Sequence, residues 1–123
     1  MPKVVAVIGA SSDRHKFGNR AVRAFQAKGD TVVPINPHES EIEGLKTYKS
    51  VLDVPGPIDM ATVYVQPDIG VEVMDEIARK GIPEVWLNPG ADDDAVIARA
   101  KALHLQPIVA CSIMGTGQNP YDF

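Results

Sequence analysis

Five consecutive apolar residues, Val4-Val5-Ala6-Val7-Ile8, stop at Gly9 and give way to the polar stretch ASSDRHK before Phe17 and Gly18. No other feature constrains the fold of this chain as strongly. An unbroken run rich in β-branched residues suits a strand covered on both faces, as in a parallel sheet flanked by helices. Helical periodicity then runs from Asn19 to Lys28, with Ala21, Val22, Ala24 and Phe25 on one face and Gly29 where a left-handed cap belongs. A glycine-bounded loop thus leads from a buried strand to a helix N-terminus. Such a terminus has unpaired backbone N–H groups and about half a positive charge, which suits a phosphate. Glycine and serine after a strand are equally ordinary turn chemistry, and the loop alone does not separate the two readings.

The same alternation of strand and helix patterns continues along the chain. Thr31 to Ile35 form a second strand ending in Asn36, Pro37 and His38; Pro34 lacks a donor, so this strand is expected to be short or irregular. The stretch from Glu39 to Asp59 is the least regular crossover, with one short helical turn within Ser50 to Val54. Met60 to Val65 form a third strand, after which Gln66, Pro67 and Asp68 open a helix with Ile69, Val73, Met74 and Ile77 as its buried stripe. Gly81 closes that helix. Glu84 to Leu87 form a fourth strand and Asn88, Pro89 and Gly90 a turn. Asp92, Asp93 and Asp94 start a helix containing Val96, Ile97, Ala100 and Leu103, and Pro107 to Ala110 form a fifth strand. The tail from Cys111 to Phe123 has no periodicity.

This pattern predicts a single α/β domain over residues 1–123, a Rossmann-like, doubly wound parallel sheet of about five strands in the order 3-2-1-4-5 with helices on both faces. Ligands of such sheets bind outside the carboxyl ends of the strands, at the switch point, here expected between the first and fourth. A formal charge of −4, a pI near 5.2 and 6% aromatic residues leave no electrostatic or stacking footprint for nucleic acid. No apolar run nears the roughly 20 residues of a membrane span, and Met-Pro-Lys starts no signal-peptide pattern, so the expectation is a cytoplasmic protein. Cys111 has no partner for an internal disulfide, and no Cys/His spacing resembles a metal site.

The loop is not a compact dinucleotide turn. After Gly9 the next glycine is Gly18, and the second strand ends in Asn36 where an NAD site places an acid for the ribose hydroxyls. Asn36 and His38, with Arg14, His15 and Lys16 in the facing loop, tolerate a phosphorylated ribose instead. Coenzyme A carries a 3′-phosphate and a pyrophosphate and suits these donors. NADP, with a 2′-phosphate, fits nearly as well, and an NADP-binding domain of an oxidoreductase is the alternative.

The segments VIGASSDRHKFGNRAV, VVPINPHESEIEGLKTYKSV, IDMATVYVQP and GIPEVWLNPGADDDAV, in this order, resemble the stand-alone CoA-binding domain proteins from Lys3 to about Met114. These are similar in turn to the CoA-binding domain of the succinyl-CoA synthetase alpha subunit. The resemblance implies a Rossmann-like fold that binds CoA or a short acyl-CoA. By position, Gly9, Ala10, Ser11, Ser12, Lys16 and Gly18 would hold the phosphates. Asn36 and Pro37 would line the nucleotide, and Val65, Gln66 and Pro67 would flank the adenine or pantetheine. Many relatives resemble W-x-Q-x-G at the fourth strand end, where this chain has Asn88, a shorter amide counted with the binding residues.

Chemistry beyond binding is not expected. A thiolate nucleophile needs a base or cation beside it, and the sequence places none beside Cys111. None of His15, His38 and His104 sits in a motif like that of the phosphorylated histidine of the synthetase. The chain is expected to be non-catalytic on its own, with a homodimer or an unknown protein partner left open.

Overall fold

The computed structural model describes residues 2–123. Its centre is a five-stranded parallel sheet built from β1 (Val4–Ile8), β2 (Thr31–Ile35), β5 (Met60–Val63), β6 (Glu84–Leu87) and β7 (Ile108–Val109). Two short strands, β3 (Glu41–Ile42) and β4 (Leu45–Lys46), form a separate antiparallel hairpin in the irregular crossover. The helices are α1 (Phe17–Lys28), α2 (Pro67–Lys80), α3 (Asp94–Ala102) and a single turn, α4 (Ser112–Gly115).

The apolar run of β1 is buried on both faces, as its composition requires. Val5 and Val7 face α1, where they meet Ala21, Val22 and Phe25 together with Met60 and Ile113. Ala6 and Ile8 face the opposite layer with Val63, Val73, Met74, Ile77 and Val96. The two cores therefore lie on either side of one strand. Phe25 and Ile77 are each 1% exposed or less, so truncating either to Ala removes packed volume worth about 2–5 kcal/mol. Both long helices end at glycines in the left-handed region, Gly29 at φ +95° and Gly81 at φ +77°.

Five parallel strands with helices on both faces agree with the sequence-based expectation, but the strand order needs correction. The sheet runs β2-β1-β5-β6-β7, which is 2-1-3-4-5 in the numbering of its own strands, not 3-2-1-4-5. β5 pairs with β1, with Val5 opposite Met60 and Ile8 opposite Val63. Pro34 is the physical reason. Its carbonyl accepts from Tyr48 N–H on the outer edge of β2 at 3.1 Å, and the N–H it lacks belongs on that same edge. A ladder cannot continue there, so β2 is an edge strand and the chain crosses back over β1. Only one parallel bridge, Ile35 to Tyr48, covers that edge. The switch point consequently lies between β1 and β5.

Smaller differences follow local chemistry. α1 starts at Phe17, two residues before the apolar periodicity. β5 ends at Val63, although Tyr64 N–H still donates to the Ile8 carbonyl at 2.8 Å. Asp93 caps α3 by accepting from Ala95 N–H at 2.9 Å. The unpatterned tail forms α4 and a 3-10 turn at Pro120–Asp122. Arg20 of α1 holds that turn, lying 5.2 Å from the Phe17 ring centre and 5.6 Å from that of Tyr121.

Candidate functional site

The carboxyl ends of β1, β2 and β5 meet at a loop of unusually close backbone approach. Gly9 sits at φ +91°, and a Cβ built on it would lie 3.1 Å from the backbone of Tyr64 and Val65. A Cβ on Gly18 would lie 2.2 Å from the Gly9 carbonyl oxygen. Gly9 is required by space and by its dihedral angle, Gly18 by space alone. They bring the first turn of α1 directly onto the end of β1.

The loop between them is tied down by its own side chains. Ser11 Oγ accepts from Asp13 N–H and Asp13 Oδ1 from His15 N–H, each at 3.0 Å. Asn19, fully buried, donates from Nδ2 to the Ser11 carbonyl at 2.8 Å and accepts from Arg23 Nε at 2.7 Å. Asn36 donates to the Ala10 carbonyl at 2.8 Å and accepts from His38 N–H at 2.7 Å. The amides of Ala10, Ser11, Phe17 and Gly18 find no acceptor among the described residues. These donors, at a helix N-terminus with Lys16 beside them, form a preorganised seat for an anion.

Gly9, Ala10, Ser11, Lys16, Gly18 and Asn36 line a groove of about 360 Å³, to which Phe17, Tyr64 and Pro89 add apolar walls. Gly9 and Asn36 are shared with a second groove of about 400 Å³, which Pro37, His38, Lys49, Val65 and Ile69 help to line. On the other side, Phe17, Tyr64 and Pro89 are shared with a cavity of about 80 Å³ that reaches Asn88 and Cys111. Three compartments are thus joined end to end across the strand termini.

The sequence-derived candidates divide accordingly. Gly9, Ala10, Ser11, Lys16, Gly18, Asn36, Pro37 and Val65 come together around the two grooves. Ser12 is turned aside, its N–H donating to Glu39 Oε2 at 3.0 Å. Gln66 precedes α2 without a side-chain cap bond and Pro67 is the first residue of that helix; neither lines a groove. Asn88 is 1% exposed and its amide is committed: Nδ2 donates to Thr62 Oγ1 at 2.7 Å and to the Val63 carbonyl at 2.9 Å, and Oδ1 accepts from Ser112 N–H at 2.9 Å. It fastens α4 to the sheet.

Arg14 pairs with Glu43 at 3.6 Å, whereas Lys16 has no ion-pair partner among the described residues. Asp13 spends its carboxylate on the loop backbone, not on the neighbouring cations. Sequence reasoning missed Tyr64, Phe17 and Pro89 as walls and Lys49 as a second cation. Tyr64 had a readable signal, since it follows Thr62 by two residues and so shares its face of the strand. Lys49 had none, because the path of the irregular crossover cannot be read from periodicity.

Comparison with known proteins agrees with this layout. Residues 3–116 match the family described as CoA binding domain. The chain is 41% identical over 81 residues to an ADP-forming acetate–CoA ligase of Methanocaldococcus jannaschii, covering 66% of this chain and 12% of the ligase. It is 36% identical over 85 residues to the alpha subunit of an ADP-forming acetate–CoA ligase II of Pyrococcus furiosus, covering 68% of this chain and 19% of that subunit. The chain therefore spans less than a fifth of the length of these relatives. Among solved structures, a conserved hypothetical protein of Pyrococcus furiosus superposes with a TM-score of 0.84 at 30% identity, over 94% of this chain and 99% of that one. A hypothetical protein of Pyrococcus horikoshii superposes with a TM-score of 0.85 at 26% identity, over 94% and 81%. With the glycine-bounded loop, the parallel sheet and the family match over nearly all of its length, this chain belongs to the CoA-binding domain family.

Proposed function

We propose that this chain binds coenzyme A or a short acyl-CoA across the three joined compartments and performs no chemistry by itself. The observation that carries the reading is the set of unpaired amides at Ala10, Ser11, Phe17 and Gly18, held in the central groove beside Lys16. The pyrophosphate lies on these amides. The adenosine end, with its 3′-phosphate, occupies the groove lined by Asn36 to His38 and Lys49, where Lys49 supplies a positive charge and His38 a ring N–H. The pantetheine arm runs past Phe17 and Pro89 toward the small cavity. A cytoplasmic setting belongs to the same proposal, as does any activity contributed by a partner protein. No helix among the described residues is long and apolar enough to cross a membrane.

Thermal melts with CoA, acetyl-CoA and NADP test the reading. A ligand at one hundred times its Kd adds about 2.7 kcal/mol, which raises Tm by about ten degrees in a domain of this size. CoA is expected to raise Tm and NADP to leave it unchanged; a shift with NADP and none with CoA overturns the assignment.

A further inference from the structure

The small cavity beside Cys111 ends on a chain of buried hydroxyls whose proton directions can be deduced. Asn88 sets the direction. Its Oδ1 must accept from Ser112 N–H and its Nδ2 must donate to the Val63 carbonyl, which fixes Nδ2 as the donor to Thr62 Oγ1. Thr62 is fully buried, and its one remaining partner is Ser112 Oγ at 2.7 Å, so the threonine proton goes to Ser112. Ser112 is 1% exposed, and its own proton has one place to go, the Tyr64 hydroxyl oxygen at 3.2 Å. The opposite sense would leave a buried hydroxyl proton without an acceptor, which is unfavourable. Tyr64 therefore receives a hydrogen bond from Ser112 and has its own proton to give. Among the described residues it has no acceptor for it. Burial pushes the phenol pKa up, which keeps that proton in place across the neutral range.

The ring of Tyr64 lines both the central groove and the 80 Å³ cavity, whose other walls are Phe17, Asn88, Pro89 and Cys111. That space holds only a few non-hydrogen atoms, and the Tyr64 phenol is the hydroxyl on its wall with a proton to give. We propose that Tyr64 donates a hydrogen bond to the carbonyl oxygen of a short acyl thioester seated in this cavity, so that the protein selects a small acyl-CoA over free CoA. The inference rests on the CoA reading above and names the acyl class for the same site. A thioester carbonyl is an acceptor only, so it matches a phenol whose lone pair is already engaged. The oriented chain Asn88–Thr62–Ser112 keeps the phenol proton from turning inward. Tyr64 thereby becomes a specificity residue and Asn88 a positioning residue that acts through it.

Calorimetric titration with CoA, acetyl-CoA and S-ethyl-CoA tests this. S-ethyl-CoA is a thioether of similar size that lacks the carbonyl. The expected result is that the native chain binds acetyl-CoA about tenfold more tightly than S-ethyl-CoA, the amount of one net hydrogen bond, and that Tyr64→Phe removes this preference. If the native chain binds CoA but treats acetyl-CoA and S-ethyl-CoA alike, the role of Tyr64 is refuted and CoA binding stands. A tenfold preference that survives in Tyr64→Phe also refutes it. If the native chain binds none of the three, both the acyl assignment and the CoA reading fall. The comparison of ligands on the native chain keeps the test decisive should the variant fold poorly.

Discussion

Gly18 and Gly9 are in direct backbone contact: a single methyl group on Gly18 would reach 2.2 Å from the Gly9 carbonyl oxygen. The first turn of α1 is placed by this contact, and the loop amides are placed by that turn. Gly18→Ala is expected to force the helix start away from β1 and to destabilise the protein by roughly 2–3 kcal/mol, near the upper range for overpacking. Chemical denaturation measures it. The same variant should lose CoA binding even at temperatures where it remains folded, because the anion seat is spread apart. Unchanged stability would mean that the loop yields more easily than its packing indicates.

Lys16 combines exposure with proximity to the free amides and has no ion-pair partner among the described residues. Lys16→Met is therefore expected to leave Tm within a degree or two and to weaken CoA binding about five- to tenfold, as for a partly solvated charge-assisted contact. The loss should shrink as salt is raised. A large drop in Tm with normal affinity would show that Lys16 serves the fold.

Asn36 acts through the loop. Its amide holds the Ala10 carbonyl at 2.8 Å, so Asn36→Asp places a carboxylate oxygen against a carbonyl and should cost about 1–3 kcal/mol of stability. CoA is expected to lose more affinity than dephospho-CoA, because Asn36 lines the groove that receives the 3′-phosphate and the new carboxylate repels it. Equal losses would show that Asn36 acts through the loop alone.

Much of this arrangement was legible in the sequence because it follows from local chemistry. Val4 to Ile8 could only be a doubly covered strand, and Gly29 and Gly81 fell where helices must end. Gly9 and Gly18 stood out through their spacing. The strand order was not obtained, although Pro34 carried the signal: a residue without a donor belongs at an edge, and an edge position for β2 puts β5 beside β1. Asn88 shows a different limit. An amide at a strand end is equally suited to a ligand and to a buried network, and only the tertiary partners Thr62, Val63 and Ser112 decide between them. Lys49 and Glu39 lie in the stretch with no periodicity, where chain direction depends on packing that sequence patterns do not encode.

Burial raises the pKa of Tyr64 above its ordinary value of 10.0, despite the opposing hydrogen bond from Ser112. A folded-state pKa above the unfolded one gives stability that is complete below about pH 10 and is lost as pH rises through the folded value. Tyr64→Phe should therefore flatten the alkaline end of the stability profile above pH 10 and leave the region from pH 6 to 9 parallel to that of the native chain. Denaturant titrations at a series of pH values give the comparison. An unchanged alkaline slope would mean that Tyr64 ionises as freely in the folded chain as in the unfolded one.

The central claim is that CoA lies on the loop between Gly9 and Gly18, and a two-dimensional amide NMR titration tests it most directly. Addition of CoA is expected to shift the amides of Ala10, Ser11, Phe17 and Gly18 saturably and by more than any in α3, with Asn36, His38 and Lys49 following in the same titration. Saturable binding that leaves these loop amides unmoved, or shifts confined to the β7 side of the sheet, would contradict the account.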